Sequence, residues 1–280
     1  MCQECGCGLG GQGAVSGGHG SPDAAHAHPH EHPHAHAVET PREAAVAAHA
    51  HDAPVGRSRL VELNRSLLEK NARLAERNRG FFRAKKLLVL NVMSSPGSGK
   101  TTFIRETAAR LRGRLRVGVI TGDLATENDA ATLRAAGVPV VQINTGTVCH
   151  LDAEMVAGAA RQLDLDALEV LVIENVGNLV CPADYDLGED LRVVLLSVTE
   201  GEDKPLKYPP LFHSANVAVV TKTDLAAAAG FDREQALANL KRISHHARIF
   251  EVSAKTGDGM SAWVEFLQQE HAARGHAGWL

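Results

Sequence analysis

Seven short apolar runs alternate with helical patterns from residue 87 to the end of the chain. They read LLVLNV, RVGVIT, VPVVQI, EVLVIE, RVVLLSV, NVAVVT and ARIFEV. Because these runs are rich in β-branched residues and nearly continuous in apolar character, they are typical of strands covered by helices on both faces. The pattern predicts an α/β domain over residues 87–280 with a mostly parallel, seven-stranded sheet.

A basic amphipathic segment precedes this domain. Residues 57–86 carry ten Lys or Arg and three Asp or Glu, with apolar residues seven positions apart at Leu60, Leu67, Leu74 and Phe81. This spacing predicts a helix with one apolar stripe. We expect the stripe to pack on the helix's own domain or on a second subunit, in preference to any role of the basic residues in nucleic-acid binding.

The first 56 residues differ in composition from the rest of the chain. They are rich in Gly, Ala, Pro and His and almost free of large apolar side chains. Such a segment buries too little apolar surface to offset the entropy of ordering. Residues 1–56 are therefore predicted to be a disordered region.

The overall charge and the cysteines limit the possible function classes. A net charge of −4 gives no nucleic-acid signature, and no apolar run approaches the length of a membrane span. The start MCQECGCGLG has neither the basic residues nor the apolar stretch of a signal peptide. The five cysteines are odd in number, and three lie in the first seven residues. We expect a cytoplasmic protein that uses its thiols for metal or redox chemistry and binds neither nucleic acid nor membrane.

The first strand runs directly into SSPGSGKTTF, residues 94–103. A strand, a glycine-rich turn, a Lys-Thr pair and a following helix form the context of a P-loop. The turn amides and the helix N-terminus are predicted to bind phosphates, with Lys100 reaching the β- and γ-phosphates and Thr101 ligating Mg²⁺. Ser94 stands where the pattern usually has its first glycine, and we expect little harm from it. The predicted phosphate-binding residues are Gly97, Ser98, Gly99, Lys100, Thr101 and Thr102.

The sequence TKTD, residues 221–224, follows the sixth predicted strand and resembles the N-K-x-D element with which GTPases read guanine. In that element Asp224 would accept hydrogen bonds from guanine N1–H and the 2-amino group, while the Lys222 stem would stack on the base. Thr221 replaces the usual Asn, which leaves one bracing contact open. A second loop, SAKTGDGM, resembles the S-A-K loop that closes over guanine, through Ser253, Ala254 and Lys255. Together these elements favour GTP and GDP over adenine nucleotides.

Six segments in unbroken order carry a more specific resemblance. They are SSPGSGKTT, GDLATENDA, NTGTVCHLDAEMV, IENVGNLVCPADYDLGE, VTEGEDKPLKYP and TKTD. The chain resembles, over about residues 87–270, the hydrogenase nickel-incorporation GTPase family. The resemblance implies a P-loop domain that forms a GTP-dependent homodimer. It also implies Mg²⁺ held by Thr101, with Asp123 and Glu174 contributing directly or through water, and catalysis that depends on Lys100, Asp123 and Glu174. The implied partners are the hydrogenase large subunit and other nickel-delivery accessory proteins.

A cysteine–histidine pair lies within this resemblance. We place Cys149 and His150 after the fourth strand, and Cys181 lies a few residues beyond the segment Glu174–Gly177. In a parallel sheet these strand ends share one edge, and thiolate and imidazole are preferred ligands of Zn²⁺ and Ni²⁺. Three ligands leave the coordination to be completed by water or a second subunit. The alternative is that both cysteines are small buried fillers and His150 is a helix-terminal residue.

The N-terminal region offers further metal ligands. Cys2, Cys5 and Cys7 form a motif that some members of the resembled family use as a tight nickel site, and thiolates suit the square-planar field of Ni²⁺. The alternative is a flexible tail with reactive thiols. Histidines also alternate with small residues at six positions, which we interpret as metal storage or buffering: His26, His28, His30, His32, His34 and His36.

The function that unites these features is a GTP-hydrolysing nickel metallochaperone for [NiFe] hydrogenase. Two alternatives remain. A urease-type nickel-insertion GTPase would carry a Cys-Pro-His motif, whereas this chain has Cys149-His150 and Cys181-Pro182. A non-enzymatic nickel store would not need Lys100, and GTP turnover would exclude it.

Overall fold

The computed structural model describes residues 55–123 and 128–276. The chain divides into two units, residues 1–59 and 60–280. Of the first unit only residues 55–59 are described, as the start of a helix, so the predicted disorder and metal sites of residues 1–56 lie almost wholly outside the described residues. The second unit contains the sheet and the sites whose geometry is described below.

The second unit is built on a seven-stranded sheet in which every neighbouring pair of strands is parallel. The spatial order of the strands is β3-β2-β4-β1-β5-β6-β7. The predicted parallel seven-stranded architecture is therefore confirmed. The strands are β1 Leu88–Met93, β2 Val117–Asp123, β3 Val140–Asn144, β4 Val170–Glu174, β5 Leu191–Ser197, β6 Val217–Thr221 and β7 Arg248–Glu251.

Helices cover both faces of this sheet. Strand β1 shows the division, because Leu88 and Leu90 pack into one core cluster with Phe103 and Trp263, while Val89 packs into a second cluster with Phe82. This alternation is the period-two pattern of a strand buried on both sides. The helices are α1 Val55–Ala84, α2 Lys100–Leu111, α3 Asn128–Ala135, α4 Ala153–Ala160, α5 Lys204–Lys207, α6 Pro209–His213, α7 Ala226–Ala229, α8 Arg233–Ile243 and α9 Met260–His276. Within the described ranges, no helix combines the length and the apolar character that crossing a bilayer requires.

Helix α1 packs on its own domain, but not through the stripe predicted from the sequence. Leu67 is 48% exposed and Phe81 is 46% exposed. The buried face instead carries two polar and two apolar residues: Asn71, Ala75, Asn78 and Phe82. The apolar spacing alone did not indicate this buried face, and packing of the predicted stripe on a second subunit stays a prediction.

Hydrogen bonds to the backbone explain the polar half of the buried face. The Asn71 side-chain amide donates to the Asp186 carbonyl (2.8 Å) and accepts from the Ala153 amide (2.9 Å). Asn78 donates to the carbonyls of Ala153 (2.8 Å) and Leu187 (3.1 Å). Two buried asparagines thus satisfy loop groups that would otherwise be left without partners, which makes them as suited to this interface as leucines.

The topology brings the functional segments to one edge of the sheet. Strand β1 leads into the glycine-rich loop, β2 ends at Asp123 and β4 ends at Glu174. Strand β6 ends directly before Lys222. In a parallel sheet these carboxyl ends face the same crevice, where α/β proteins bind their ligands.

Candidate functional site

The loop between β1 and α2 has the conformation that phosphate binding requires. Gly97 and Gly99 adopt φ angles of +74° and +97°, in a region that side chains disfavour. Gly99 lies directly before the N-terminus of α2, so the loop amides and the helix N-terminus face the same space. The glycines at these two positions are therefore required by the backbone.

Ser94 fits inside this loop in place of a glycine. It is fully buried, its Oγ donates to the Ser95 carbonyl (2.8 Å), and it accepts from Lys100 Nζ (3.1 Å). Its hydroxyl also contacts that of Ser98. The added side chain therefore takes part in the polar interior of the loop without displacing it.

Lys100 lies among acidic side chains at the loop. Burial lowers the pKa of this lysine, whereas the carboxylates of Glu174, Asp129 and Asp123 oppose that shift. The ammonium group therefore occupies a partly dry site in which an anionic ligand would gain strongly from its charge.

Glu174 and Thr101 form the corner predicted to hold Mg²⁺. The Thr101 hydroxyl donates to Glu174 Oε1 (2.7 Å), and the buried Glu174 Oε2 has no hydrogen-bond partner among the described residues. Burial raises the pKa of Glu174 to about 7, against the hydrogen bond from Thr101. A buried carboxylate with one unpartnered oxygen beside a P-loop threonine fits a divalent cation, which would supply the missing compensation. Asp123, at the end of β2, also raises the pKa of Glu174, because the two carboxylates repel each other.

The base-reading loops enclose a cavity of about 210 Å³ next to the phosphate loop. Asp224 lines it and accepts a hydrogen bond from the Ser253 hydroxyl (2.7 Å), which orients the carboxylate. Ala254 and Lys255 line the same cavity. The structure therefore brings the TKTD and SAK loops together, as their resemblance to guanine-binding elements predicts.

Thr221 stands where GTPases usually have Asn, and it makes a bracing contact to the phosphate loop. Its hydroxyl donates to the Ser98 carbonyl (3.0 Å), and Lys222 Nζ donates to the Gly97 carbonyl (2.7 Å). Lys222 holds a φ angle of +59°, which is uncommon outside glycine. The last residue of β6 and the residue after it thus fasten the TKTD loop to the phosphate loop.

Cys149, His150 and Cys181 meet in space. One ligand atom from each lies within 4.8 Å of the other two, and the two sulfur atoms are 2.9 Å apart. The pair Cys149-His150 follows β3, an edge strand, and not the fourth strand as predicted. Because β3 runs parallel to β2, the loop after β3 also begins at the sheet's carboxyl edge. There the Thr145 amide donates to the Asp123 carbonyl (2.9 Å).

The imidazole of this cluster is prepared for metal ligation. Burial lowers the pKa of His150, which favours the neutral form that binds metals. Its Nδ1 is buried and has no hydrogen-bond partner in the described part of the chain. Its ring stacks on Tyr185, with ring centroids 3.8 Å apart. Sequence reasoning missed Tyr185, although it lies only four residues beyond Cys181.

Three contacts connect the metal cluster to the nucleotide edge, and sequence reasoning missed all of them. The Asn178 side chain donates to the Cys149 carbonyl (3.2 Å), and Asn175 Oδ1 accepts from the Leu151 amide (3.4 Å). Gly177, between these asparagines, lies against Pro96 of the phosphate loop, where an added Cβ would come within 3.0 Å of the backbone. The segment after Glu174 therefore contacts the phosphate loop on one side and the cysteine–histidine loop on the other.

The comparisons with known proteins agree with this geometry. The family profile described as CobW/HypB/UreG, nucleotide-binding domain, matches residues 88–251. The chain belongs to this family. The matched range includes the phosphate loop, the candidate metal ligands Cys149, His150 and Cys181, and TKTD, whereas the SAK loop begins two residues beyond it.

Within the family, the similarity is to HypB proteins. The hydrogenase maturation factor HypB of Escherichia coli (strain K12) is 50% identical over 226 residues, covering 81% of this chain and 78% of that protein. HypB of Azotobacter chroococcum mcd 1 is 46% identical over 288 residues, covering 98% of this chain and 94% of that protein. The crystal structure of HypB from Helicobacter pylori in complex with nickel has a TM-score of 0.70 and 39% identity, covering 73% of this chain and 96% of that one. The resemblance and the P-loop fold predicted from the sequence motifs are thus confirmed.

Proposed function

We propose that this chain is a GTP-hydrolysing nickel metallochaperone that assists nickel insertion into [NiFe] hydrogenase. The observation that carries the proposal is the contact between two sites. In the cysteine–histidine cluster, the loop that carries Cys149 and His150 is tied by Asn178 to the segment following Glu174, beside the phosphate loop. The HypB names and the nickel-bound relative support the choice of cargo and of client enzyme.

The nucleotide half of the proposal assigns roles to the residues at the sheet edge. Lys100 and the loop amides hold the phosphates, and Asp224 reads guanine. Thr101 and Glu174, with Asp123, hold Mg²⁺, which neutralises charge on the transferring phosphoryl group. We expect slow intrinsic hydrolysis, because the sequence offers no arginine finger or catalytic glutamine that can be assigned to the γ-phosphate.

The metal half assigns Cys149, His150 and Cys181 as ligands of Ni²⁺, with Zn²⁺ as a second ion of suitable chemistry. Two thiolates about 2.3 Å from an ion lie roughly 3.3–3.8 Å apart at square-planar or tetrahedral angles, so ion binding would spread the sulfurs by less than about 1 Å. A fourth position stays open for water or for a ligand from a second subunit. We infer a GTP-dependent homodimer that alters this position and so releases nickel to the hydrogenase large subunit or to other accessory proteins.

The N-terminal ligands have a separate place in the proposal. We assign Cys2, Cys5, Cys7 and the six alternating histidines to nickel acquisition or storage ahead of the folded domain. Neither set of residues takes part in nucleotide binding.

The proposal is tested by measuring GTP turnover, ATP turnover and nickel stoichiometry on one purified sample. We expect Mg²⁺-dependent hydrolysis of GTP and not of ATP, and its loss in Lys100→Ala and Asp123→Ala. Asp224→Asn removes charge-assisted hydrogen bonds worth about 1.5–3 kcal/mol each, so GTP affinity should fall by at least roughly tenfold. Asp166→Asn, an exposed carboxylate paired with Lys85, is the matched control.

Two outcomes would overturn the proposal. Equal turnover of ATP and GTP would refute the guanine assignment, and nickel binding without any turnover would favour a storage protein. A urease-type role is separated by adding the purified chain, loaded with nickel, to apo-hydrogenase and to apo-urease and comparing the activity regained.

A further inference from the structure

Three histidines that the site does not use lie together on the surface of the second unit. They are His213, His245 and His246, and all three side chains are exposed. The ring centroids of His245 and His246 are 5.2 Å apart, those of His213 and His246 are 5.5 Å apart, and those of His213 and His245 are 6.4 Å apart. An imidazole cluster of this size needs an explanation, because exposed histidines gain little from packing on one another.

The fold fixes the two segments that carry these rings. His213 ends α6, and the other two histidines lie in the turn between α8 and β7. Ser244 joins the segments: it is 1% exposed, and its hydroxyl donates to the Phe212 carbonyl (2.6 Å). The turn closes on itself where the Ala247 amide donates to the Ser244 carbonyl (2.9 Å). The proximity of the rings is thus set by buried backbone contacts.

His213 is oriented as metal-ligating histidines are. Its Nδ1 lies 3.1 Å from the Ile243 carbonyl oxygen. Since a carbonyl oxygen only accepts hydrogen bonds, Nδ1 carries the proton, and the Nε2 lone pair is left for another partner. A ring nitrogen that donates to a backbone carbonyl while the other faces a ligand is the usual outer-shell arrangement at metal centres.

The ring separations suit a shared ion. With metal–nitrogen distances of about 2.0–2.1 Å, two imidazoles on one tetrahedral ion have ring centres about 5 Å apart. Two of the three observed separations, 5.2 and 5.5 Å, lie close to that value, and the third exceeds it by little more than 1 Å. The three ligand nitrogens do not all lie within 4.8 Å of one another in this structure, so rotation of an exposed side chain would have to bring them together around an ion.

The cluster is distinct from the site already described. His213 precedes β6 and His246 precedes β7, so both lie at the amino ends of these strands. The nucleotide loops and the cysteine–histidine cluster lie at the carboxyl ends. We propose that His213, His245 and His246 form a second metal site on the folded domain, which binds a divalent ion of the Ni²⁺ or Zn²⁺ class independently of GTP.

The test is residue-resolved labelling of histidines with diethyl pyrocarbonate in the full chain, with and without Ni²⁺ or Zn²⁺. Mass spectrometry reads each histidine separately, so the N-terminal histidines do not interfere. At an ion concentration ten times the dissociation constant, the free site falls to about one tenth, and labelling of all three histidines should slow about tenfold together. His271, on α9 and outside the three-histidine cluster, is the internal control and should not respond.

A variant decides whether the three rings share one ion. His246→Ala should restore labelling of His213 and His245 in the presence of metal, while His271→Ala leaves their protection intact. GTP binding by both variants verifies the fold. The proposal is overturned if metal leaves the labelling of His213 and His245 unchanged, or if their protection survives in His246→Ala.

Discussion

Removing the Asn178 side chain should weaken the dependence of metal binding on the nucleotide. Asn178→Ala deletes the hydrogen bond to the Cys149 carbonyl (3.2 Å) and the local bond accepted from the Val180 amide (2.9 Å). The first bond joins the loop that carries Cys149 to the segment following Glu174, which lies against the phosphate loop. Both groups are only partly buried, so water replaces the lost partners and the variant should fold.

The structure sets the size of the expected effect. A neutral hydrogen bond contributes about 0.5–1.5 kcal/mol, and if it is present in one nucleotide state only, it contributes at most that amount to the coupling. Couplings between two sites are typically about 1–3 kcal/mol, or roughly 5- to 150-fold in affinity. The ratio of metal affinities in the GTP and GDP states should therefore shrink by about 2- to 12-fold in Asn178→Ala. By reciprocity, the effect of the metal on nucleotide affinity should shrink by the same factor.

The assay is a competitive titration of Ni²⁺ and Zn²⁺ against a chelator, with GDP and with a non-hydrolysable GTP analogue. A parent chain whose N-terminal cysteines and histidines are replaced, and which also carries His246→Ala to remove the proposed histidine site, isolates the Cys149 cluster. Asn144→Ala is the matched control, because the Asn144 side-chain Oδ1 accepts from the Gly146 amide (3.1 Å) and this bond stays within the loop that follows β3. An unchanged affinity ratio in Asn178→Ala, or an equal loss in Asn144→Ala, would refute the reasoning.

Three further predictions follow from the site. Glu174→Gln should abolish Mg²⁺-dependent turnover yet stabilise the ligand-free protein. Because the pKa of Glu174 is raised to about 7, the folded state retains above pH 4.5 a proton that the unfolded state has lost, so the free energy of unfolding falls as pH rises. The extra free energy of unfolding of Glu174→Gln in urea should therefore grow from nil near pH 4 to about 3 kcal/mol at pH 8. Tyr185→Ala should weaken nickel binding at the Cys149 cluster by about 2- to 12-fold, whereas Tyr185→Phe, which keeps the stacked ring, should not. Replacing Cys2, Cys5 and Cys7 by serine together with the six alternating histidines by alanine should remove most bound nickel and leave the GTPase rate unchanged; a lost rate would place these residues in the nucleotide site.

The sheet and its ligand edge were predictable because their signals are local and strong. Each strand lies in a nearly continuous apolar run, and SSPGSGKTT follows the first run directly. Parallel strands then bring Asp123 and Glu174 to one edge without further information. The face of α1 was not predictable in the same way. Asn71 and Asn78 are buried because loop carbonyls and an amide from distant parts of the chain need partners, and no local pattern encodes that need.

The connection between the two sites was likewise not predictable from local sequence patterns. It is made by hydrogen bonds from the side chains of Asn175 and Asn178. We expect a nucleotide signal to reach Cys149 from Glu174 through the loops that follow β3 and β4. Gly177 lies against Pro96, where an added Cβ would come within 3.0 Å of the backbone, so we expect a change in the phosphate loop to move the segment that follows Glu174. Asn178, the next residue, would pass that displacement to the carbonyl of Cys149, a proposed metal ligand. A directional hydrogen bond breaks within a few tenths of an ångström, whereas an apolar contact would yield gradually. Asn178 is therefore suited to switching, and this role follows from its contact with the Cys149 carbonyl in the folded chain.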